Sequence, residues 1–215
     1  PQAAVEGKGV LNNRLSEFFM AGLNAIGVPT HFIRRINMRE QLVRMAEIIP
    51  VEVVVRNFAA GGITERLGIP EGTPLPRPIV EYYYKDERLN SPMVSEEHII
   101  AFGWATQQDL DDVIALALRV NDFMSGVMMG VGIRLADFRI EVGRIWEGDF
   151  MRLIVADEIS PDSCRLWDLR GLADKGDGAP IAEPGPLADV YSELARRLGV
   201  MPSNVTHTTK PTLIN

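Results

Sequence analysis

Apolar positions between residues 107 and 129 recur at helical spacing (Leu110, Val113, Ile114, Ala117 and Leu118, with Asn121 on the same stripe). They predict the longest helix of the chain, stopped by Gly130 and Gly132. Beyond it the period changes. Phe138, Ile140 and Val142 alternate with Asp137, Arg139 and Glu141, the pattern of a strand with one polar and one apolar face. Glu147, Gly148 and Asp149 make a turn, and the apolar run 151–156 returns as a second strand of a hairpin on which the long helix packs.

Upstream, Asn12 and Asn13 are placed to cap a helix through Leu15, Phe18, Phe19 and Leu23, ended by Gly27 and Pro29. Residues 30–36 and 41–44 read as short strands. Residues 46–56 form a β-branched run in which Pro50, lacking a ladder donor, marks an edge or a connection between sheets. A short helix over 64–67 closes at Gly68, and 70–78, with four prolines, reads as loop. Residues 79–85 form a half-buried strand carrying three tyrosines, and Ser95 or Glu96 starts another short helix. Residues 171–186, rich in Gly and Pro, read as a loop; 187–198 form an amphipathic helix with a basic end, and 201–215 a surface tail.

Composition adds limits. A chain of 215 residues can bury one good core or two modest ones. A net charge of −7 and a pI of about 5.1 speak against general affinity for nucleic acid or anionic membrane, while leaving room for a local basic pocket. The single cysteine, Cys164, gives no internal disulfide and suits a reducing cytoplasm. No apolar stretch reads as a membrane span, and no signal peptide heads the chain. The abrupt start, without Met, reads as processing or as the point where the expressed chain begins.

The candidate chemistry gathers in the hairpin. Asp137 and Glu141 on its first strand and Asp157 and Glu158 at the end of its second could share a hard cation, and oxygen ligands on strands suit Mg²⁺. Arg165 offers a fork for phosphate or carboxylate. A solvated polar face explains the same residues without chemistry. Arg56, followed by Ala59, Ala60, Gly61 and Gly62, reads equally as a ligand site with close backbone approach or as a salt-bridged strand end with a tight turn. Lys8, Asn12 and Asn13 could touch a ligand, though capping is the more economical reading. His31 has no second histidine or cysteine nearby and reads as structural. Neither a dinucleotide fingerprint, a P-loop, zinc spacing nor a nucleophile elbow occurs.

Four blocks, in order, resemble the phosphoribosylaminoimidazole-succinocarboxamide synthase (SAICAR synthetase) family. They are GKGVLNN from Gly7, IPVEVVVRNFAAG from Ile49, DFRIEVG from Asp137 and DEISPDSCRLWD from Asp157. With the Phe102-Gly103-Trp104 segment they extend the likeness over most of residues 8–199. The helix around Asn121 and the turn at Trp146 resemble alphaproteobacterial members. The resemblance implies an α+β, two-lobed fold with the active site in the cleft. Residues 1–54 would be the remainder of a small antiparallel nucleotide lobe, incomplete here, and residues 55–215 a larger mixed lobe binding substrate and metal. It also implies ATP and Mg²⁺ as cofactors and a homodimer in the cytoplasm. The reaction would phosphorylate the carboxylate of carboxyaminoimidazole ribonucleotide and couple it to the amine of L-aspartate.

Carried over by position, Glu141 and Asp157 would hold Mg²⁺ and, with Arg139, serve catalysis. Arg56 and Arg165 would meet the ribonucleotide or its phosphate, with Lys8, Asn13, Gly62 and Ser91 bordering the substrate. Ile48, Val51 and Glu52 would line the adenine cleft, with backbone groups reading the base. The departures matter as much. The family's Y-x-G-K-A-K-like strand pair is not in this sequence. Gly62 stands where the family has Ser, Ser91 where it has Asp, Arg139 where it has Lys, and Val142 where it has Phe. Asp174 and Lys175 begin like the family's D-K-D-x-x-R segment, which then breaks off. Two other readings follow from these losses: a divergent non-catalytic paralogue that binds nucleotide or serves as a structural partner, or a related ligase with a different acceptor.

Overall fold

A computed structural model describes residues 7–169 and 187–200. The expected loop at 171–186, including Asp174 and Lys175, and the tail at 201–215 lie outside them. In chain order the helix α1 (Lys8–Ala25) leads into a two-stranded sheet of β1 (Phe32–Arg35) and β2 (Gln41–Val43). The long strand β3 (Glu47–Phe58) follows, then α2 (Gly62–Leu67), β4 (Pro74–Tyr84), β5 (Met93–Val94) and α3 (Glu96–Ala101). The helix α4 (Gln107–Gly130) precedes β6 (Ile133–Glu147), β7 (Phe150–Ala156), β8 (Cys164–Asp168) and α5 (Leu187–Arg197). The architecture is α+β.

The main sheet is antiparallel in the order β5-β4-β3-β6-β7, and β8 pairs with β6 as well. β7 and β8 share one edge of β6: β7 covers residues 141–147 and β8 residues 133–138. Between them the chain leaves the sheet as a loop over residues 157–163, so the ladder is interrupted beside Arg139 and Ile140. The polar groups of this interruption are the raw material of the site.

Alternation does the rest. Val51, Val53 and Val55 on β3 and Phe138, Ile140 and Val142 on β6 are buried on one face. There they join Leu110, Val113, Ala117, Val120 and Met124 of α4 in a single core cluster. Leu15, Phe19 and Leu23 of α1 and Tyr191 and Leu194 of α5 belong to the same cluster. Burying each large side chain contributes about 1.5–3 kcal/mol, which fixes the register and turns the alternate residues outward together. Thr106 caps α4, accepting from the Asp109 N–H while the Asp109 carboxylate accepts from Thr106 N–H. By length and hydropathy alone α4 could cross a membrane, contrary to the expectation of no such stretch. One face, however, is core, and the other carries the exposed Asp111, Asp112, Arg119 and Asp122.

Three further expectations are corrected. α1 begins at Gly7, so Asn12 and Asn13 lie inside the helix and do not cap it. Asn12 donates to Glu158 and Asn13 to the Asn37 carbonyl. β3 is an interior strand despite Pro50. The proline sits where the β3–β6 register shifts between Ile48 and Glu52, a bulge that tolerates it. Its carbonyl accepts from Lys85 N–H at 3.1 Å, but it has no N–H to return, and the β3–β4 strand register reaches no further than Val51–Tyr84. Residues 74–78 belong to β4 and are not loop. Pro74, Pro76 and Pro78 fall at period two on a strand whose outer partner β5 reaches only Tyr82 and Tyr83, so their missing donors cost no ladder bond there. The lobe boundary expected near Val54 lies within β3, which pairs on both sides.

Candidate active site

The face of the sheet opposite the core is built by register. Across the strands Glu52 pairs with Glu141 and Tyr83, Val54 with Arg139 and Glu81, and Arg56 with Asp137, which in turn pairs with Arg165 of β8. These rows floor a cleft of about 510 Å³, which Gly62 and Arg66 from α2, Ser91, and Asp162 and Ser163 from the loop also line.

At one end of the cleft a charge network is almost fully satisfied. Arg56, only 7% exposed, donates to Glu81 (2.7 Å), Asp137 (3.0 Å), the Ala60 carbonyl (3.1 Å) and Tyr83 Oη (3.2 Å). All but one of its N–H groups are thereby committed. Burial pulls the guanidinium down, but the bonds to Glu81 and Tyr83 and the charges of Glu81 and Asp137 hold it above its ordinary value. Burial likewise raises the Asp137 carboxyl, and Arg165 and Arg56 offset only part of that rise. Tyr83 Oη donates to Glu81 at 2.9 Å, and Arg66 bridges Glu81 and Tyr83. Arg165, at 3.2 Å from Asp137, is far more exposed than Arg56 and points donors at the cleft.

Gly61 makes this arrangement possible. Its backbone (φ 61°, ψ −140°) is one that only glycine adopts freely. A Cβ there would also stand 2.8 Å from the Arg165 guanidinium. We expect Gly61→Ala to cost about 1–3 kcal/mol through strain and to displace Arg165. Gly68→Ala, in the milder left-handed helical conformation (φ 63°, ψ 27°) and with nothing within 4 Å of the added Cβ, is expected to cost less. Thermal melts of the pair check this: equal losses would show that neither the Gly61 conformation nor the Arg165 contact carries a cost of its own.

Away from this end, carboxylates and cations are paired. Arg139 donates to the Asp162 carbonyl at 3.2 Å and lies 3.9 Å from Glu52. Lys8 pairs with Asp162 and lies over the Tyr191 ring. Glu141 is paired with Lys85, so an ammonium already rests on this carboxylate. Glu141 stands opposite Ala156, the residue before Asp157. Asp157 itself has φ 59°, unusual for a side-chain-bearing residue. Among the described residues no group of three or more His, Cys, Asp or Glu could hold a metal. A cation at Glu141 and Asp157 would therefore take its remaining ligands from water or ligand oxygens, as Mg²⁺ does.

The expected residues are thus divided. Glu52, Arg56, Gly62, Ser91, Arg139 and Arg165 line the main cleft. Asn13 and Asp157 line a second depression of about 420 Å³ with His31 and Glu158, on the other side of the 157–163 loop. There burial lowers the His31 imidazole, partly offset by Asp157. Lys8 reaches the cleft through Asp162, whereas Glu141, paired with Lys85, is in the lining of neither depression. Ile48 is partly exposed, whereas Val51 is buried in the core and can offer a ligand only its backbone. Sequence reasoning missed Glu81, Tyr83 and Arg66. Tyr83 and Glu81 share a strand face, a signal that was present, but only the pairing of β4 with β3 aims that face at Arg56. Burial pushes the Cys164 thiol up to about 12, which keeps it neutral in the cleft wall.

The fold and site define an α+β protein with an arginine-rich pocket on one sheet, with Glu141 on the same sheet and Asp157 in the neighbouring depression. The SAICAR synthetase family model matches residues 2–179. The chain is 71% identical over 214 residues to the phosphoribosylaminoimidazole-succinocarboxamide synthase of Dinoroseobacter shibae, covering 100% of this chain and 85% of that protein. The crystal structure of the synthase from Ehrlichia chaffeensis superposes with a TM-score of 0.84 at 42% identity, covering 94% of this chain and 85% of the other. A SAICAR synthetase in complex with ADP gives a TM-score of 0.82 at 37% identity, covering 94% and 86%. The chain belongs to the SAICAR synthetase family.

Proposed function

We infer that the protein is an ATP-dependent C–N ligase of purine biosynthesis. It activates the carboxylate of carboxyaminoimidazole ribonucleotide as an acyl phosphate and couples it to the amine of L-aspartate. Family membership over most of the chain carries this reading, and the cleft supplies the matching chemistry. A free carboxylate resists attack because its leaving group is poor; phosphorylation provides a good one. Two anions must then be held side by side without mutual repulsion, which suits an arginine-rich end next to an acidic, cation-binding end.

In this reading Arg165, with the one uncommitted N–H of the buried Arg56, holds the ribonucleotide phosphate, with Gly62 and Ser91 bordering it. Arg139 lies beside the reacting carboxylate, and Lys8 and Asn13 flank the loop that closes the site. Glu141 and Asp157 hold Mg²⁺, which would screen charge on the transferring phosphoryl group. Lys85, released from Glu141, is free to pair with nucleotide phosphate. Ile48, the Val51 backbone and Glu52 line the adenine site. Residues 1–54 then belong to the nucleotide lobe and 55–215 to the lobe carrying substrate and metal, joined through β3. A homodimer in the cytoplasm completes the proposal.

The test is turnover of the full chain with ATP, Mg²⁺, the carboxylated ribonucleotide and L-aspartate. ADP and the succinocarboxamide product are expected in equal amounts. Nucleotide binding without product would overturn the reading in favour of a non-catalytic paralogue. Product only with another amine would point to a different acceptor.

A further inference from the structure

We propose that Lys85 holds the place of the cation at Glu141 and so makes binding of a divalent cation depend on nucleotide. The inference rests on the ligase reading, in which Glu141 is a Mg²⁺ ligand, and adds the order in which that site fills. The Glu141 carboxylate is paired with the Lys85 ammonium, and the two side chains are 13% and 32% exposed. A carboxylate this far from water is costly to leave uncompensated, so some cation must rest on it. The pair also crosses the sheet. Lys85 follows the end of β4 and Glu141 lies on β6, with β3 between them. The Lys85 N–H donates to the Pro50 carbonyl at 3.1 Å, which fastens its backbone to the 48–52 segment read as the adenine site. One residue thus touches both the nucleotide segment and the metal carboxylate.

Charge decides the order. A divalent cation cannot join the ammonium on the same carboxylate, because positive charges at contact distance repel strongly away from bulk water. Lys85 must therefore swing aside before the cation enters, and its ammonium then needs another anion. The adjoining carboxylates already face other cations. Asp86 accepts from Arg88 Nε at 3.0 Å and from Nη2 at 2.7 Å. Glu52, opposite Glu141 in the strand register, has Arg139 at 3.9 Å. A nucleotide phosphate supplies the missing anion. Its arrival draws the ammonium from Glu141 and opens the carboxylate to the cation, so each ligand tightens the other by the same factor. Without nucleotide, the ammonium keeps divalent cations off.

Titration of the full chain with Mn²⁺ alone and then with ADP present, followed by electron paramagnetic resonance, tests this. The nucleotide-free parent is expected to bind Mn²⁺ weakly. Lys85→Met, which keeps the stem and removes the charge, binds it about tenfold more tightly without nucleotide, and the further gain from ADP shrinks. Lys85→Arg keeps the charge and behaves as the parent. Two variants locate the effect. Adding Glu141→Gln to Lys85→Met abolishes the gain, and Arg152→Gln, which removes a positive charge from β7, gives none. Thermal melts read the same exchange independently: Lys85→Met loses stability without metal and regains more of it with Mn²⁺ than the parent does. A lysine that merely braced the strand would lower stability without raising the affinity for Mn²⁺. Equal Mn²⁺ affinity in the parent and Lys85→Met, or a gain that survives Glu141→Gln, overturns the inference while the ligase reading stands on turnover. A parent that yields no product overturns the ligase reading by itself, and the Mn²⁺ titration still decides the role of Lys85.

Discussion

Arg56→Met is expected to lower stability by about 3–5 kcal/mol, the cost of leaving buried charge without its partner. For a domain of this size that corresponds to a fall in melting temperature of about 10 °C. Methionine approximates the length of the arginine stem, so the loss comes from Glu81 and Asp137, which are 9% and 13% exposed in their side chains. It is not a cavity effect. Arg56→Lys keeps the charge but cannot reach Glu81, Asp137, Ala60 and Tyr83 at once, and belongs between the two. The sign with pH follows from Asp137. Burial already places its carboxyl above the ordinary value against the pull of Arg165 and Arg56, so the native state takes up this proton more readily than the unfolded chain. Removing Arg56 raises it further. The deficit of Arg56→Met is therefore largest above the carboxylate range and shrinks as pH falls and Asp137 protonates. A variant that melts within about 2 °C of the parent at neutral pH would show that the network carries little of the fold. Adding Glu81→Gln and Asp137→Asn should return part of the loss, because whole buried networks are replaced more cheaply than they are broken.

The hairpin and α4 were legible because each has a clean period: two for Asp137, Arg139 and Glu141, and three to four for Leu110 through Met124. Both signals come from a core that buries one face or one stripe. Pro74, Pro76 and Pro78 misled because composition marks loops, whereas their meaning depends on which edge of β4 is open. Asn12 and Asn13 misled in the same way. They are good capping residues by type, but α1 starts at the left-handed Gly7 and carries them a turn further in, where Asn12 meets Glu158. The site was legible only in part for a similar reason. Arg56 and Arg165 stand out locally, yet the strand pairing that joins them through Asp137 spans residues distant in the chain. The equal weighting of Arg56 as ligand or as strand-end salt bridge reflects this. Its geometry is mainly that of a bridge, and the exposed donors belong to Arg165 and Arg66.

Asp157→Asn and Glu141→Gln are each expected to reduce turnover about 10²- to 10³-fold or more, with ADP and product falling together. The choice of replacement matters. Asp157 holds φ 59°, a conformation asparagine tolerates and alanine resists, so Asp157→Asn removes charge without adding strain. Glu141 is bonded to Lys85, and Gln keeps its length and an acceptor for that ammonium. Melting temperatures should consequently stay within about 3 °C of the parent, in contrast to Arg56→Met. Binding of Mn²⁺ with nucleotide, followed by electron paramagnetic resonance, separates metal loss from substrate loss. Both variants should bind the cation more weakly, while the succinocarboxamide ribonucleotide, held at the arginine end, should bind almost as before. If turnover survives in both, the acidic pair is a solvated strand face and the metal is held elsewhere. If only Glu141→Gln fails, the cation sits on β6 beside Lys85, and the turn at Asp157 serves the loop that positions Asp162 against Lys8.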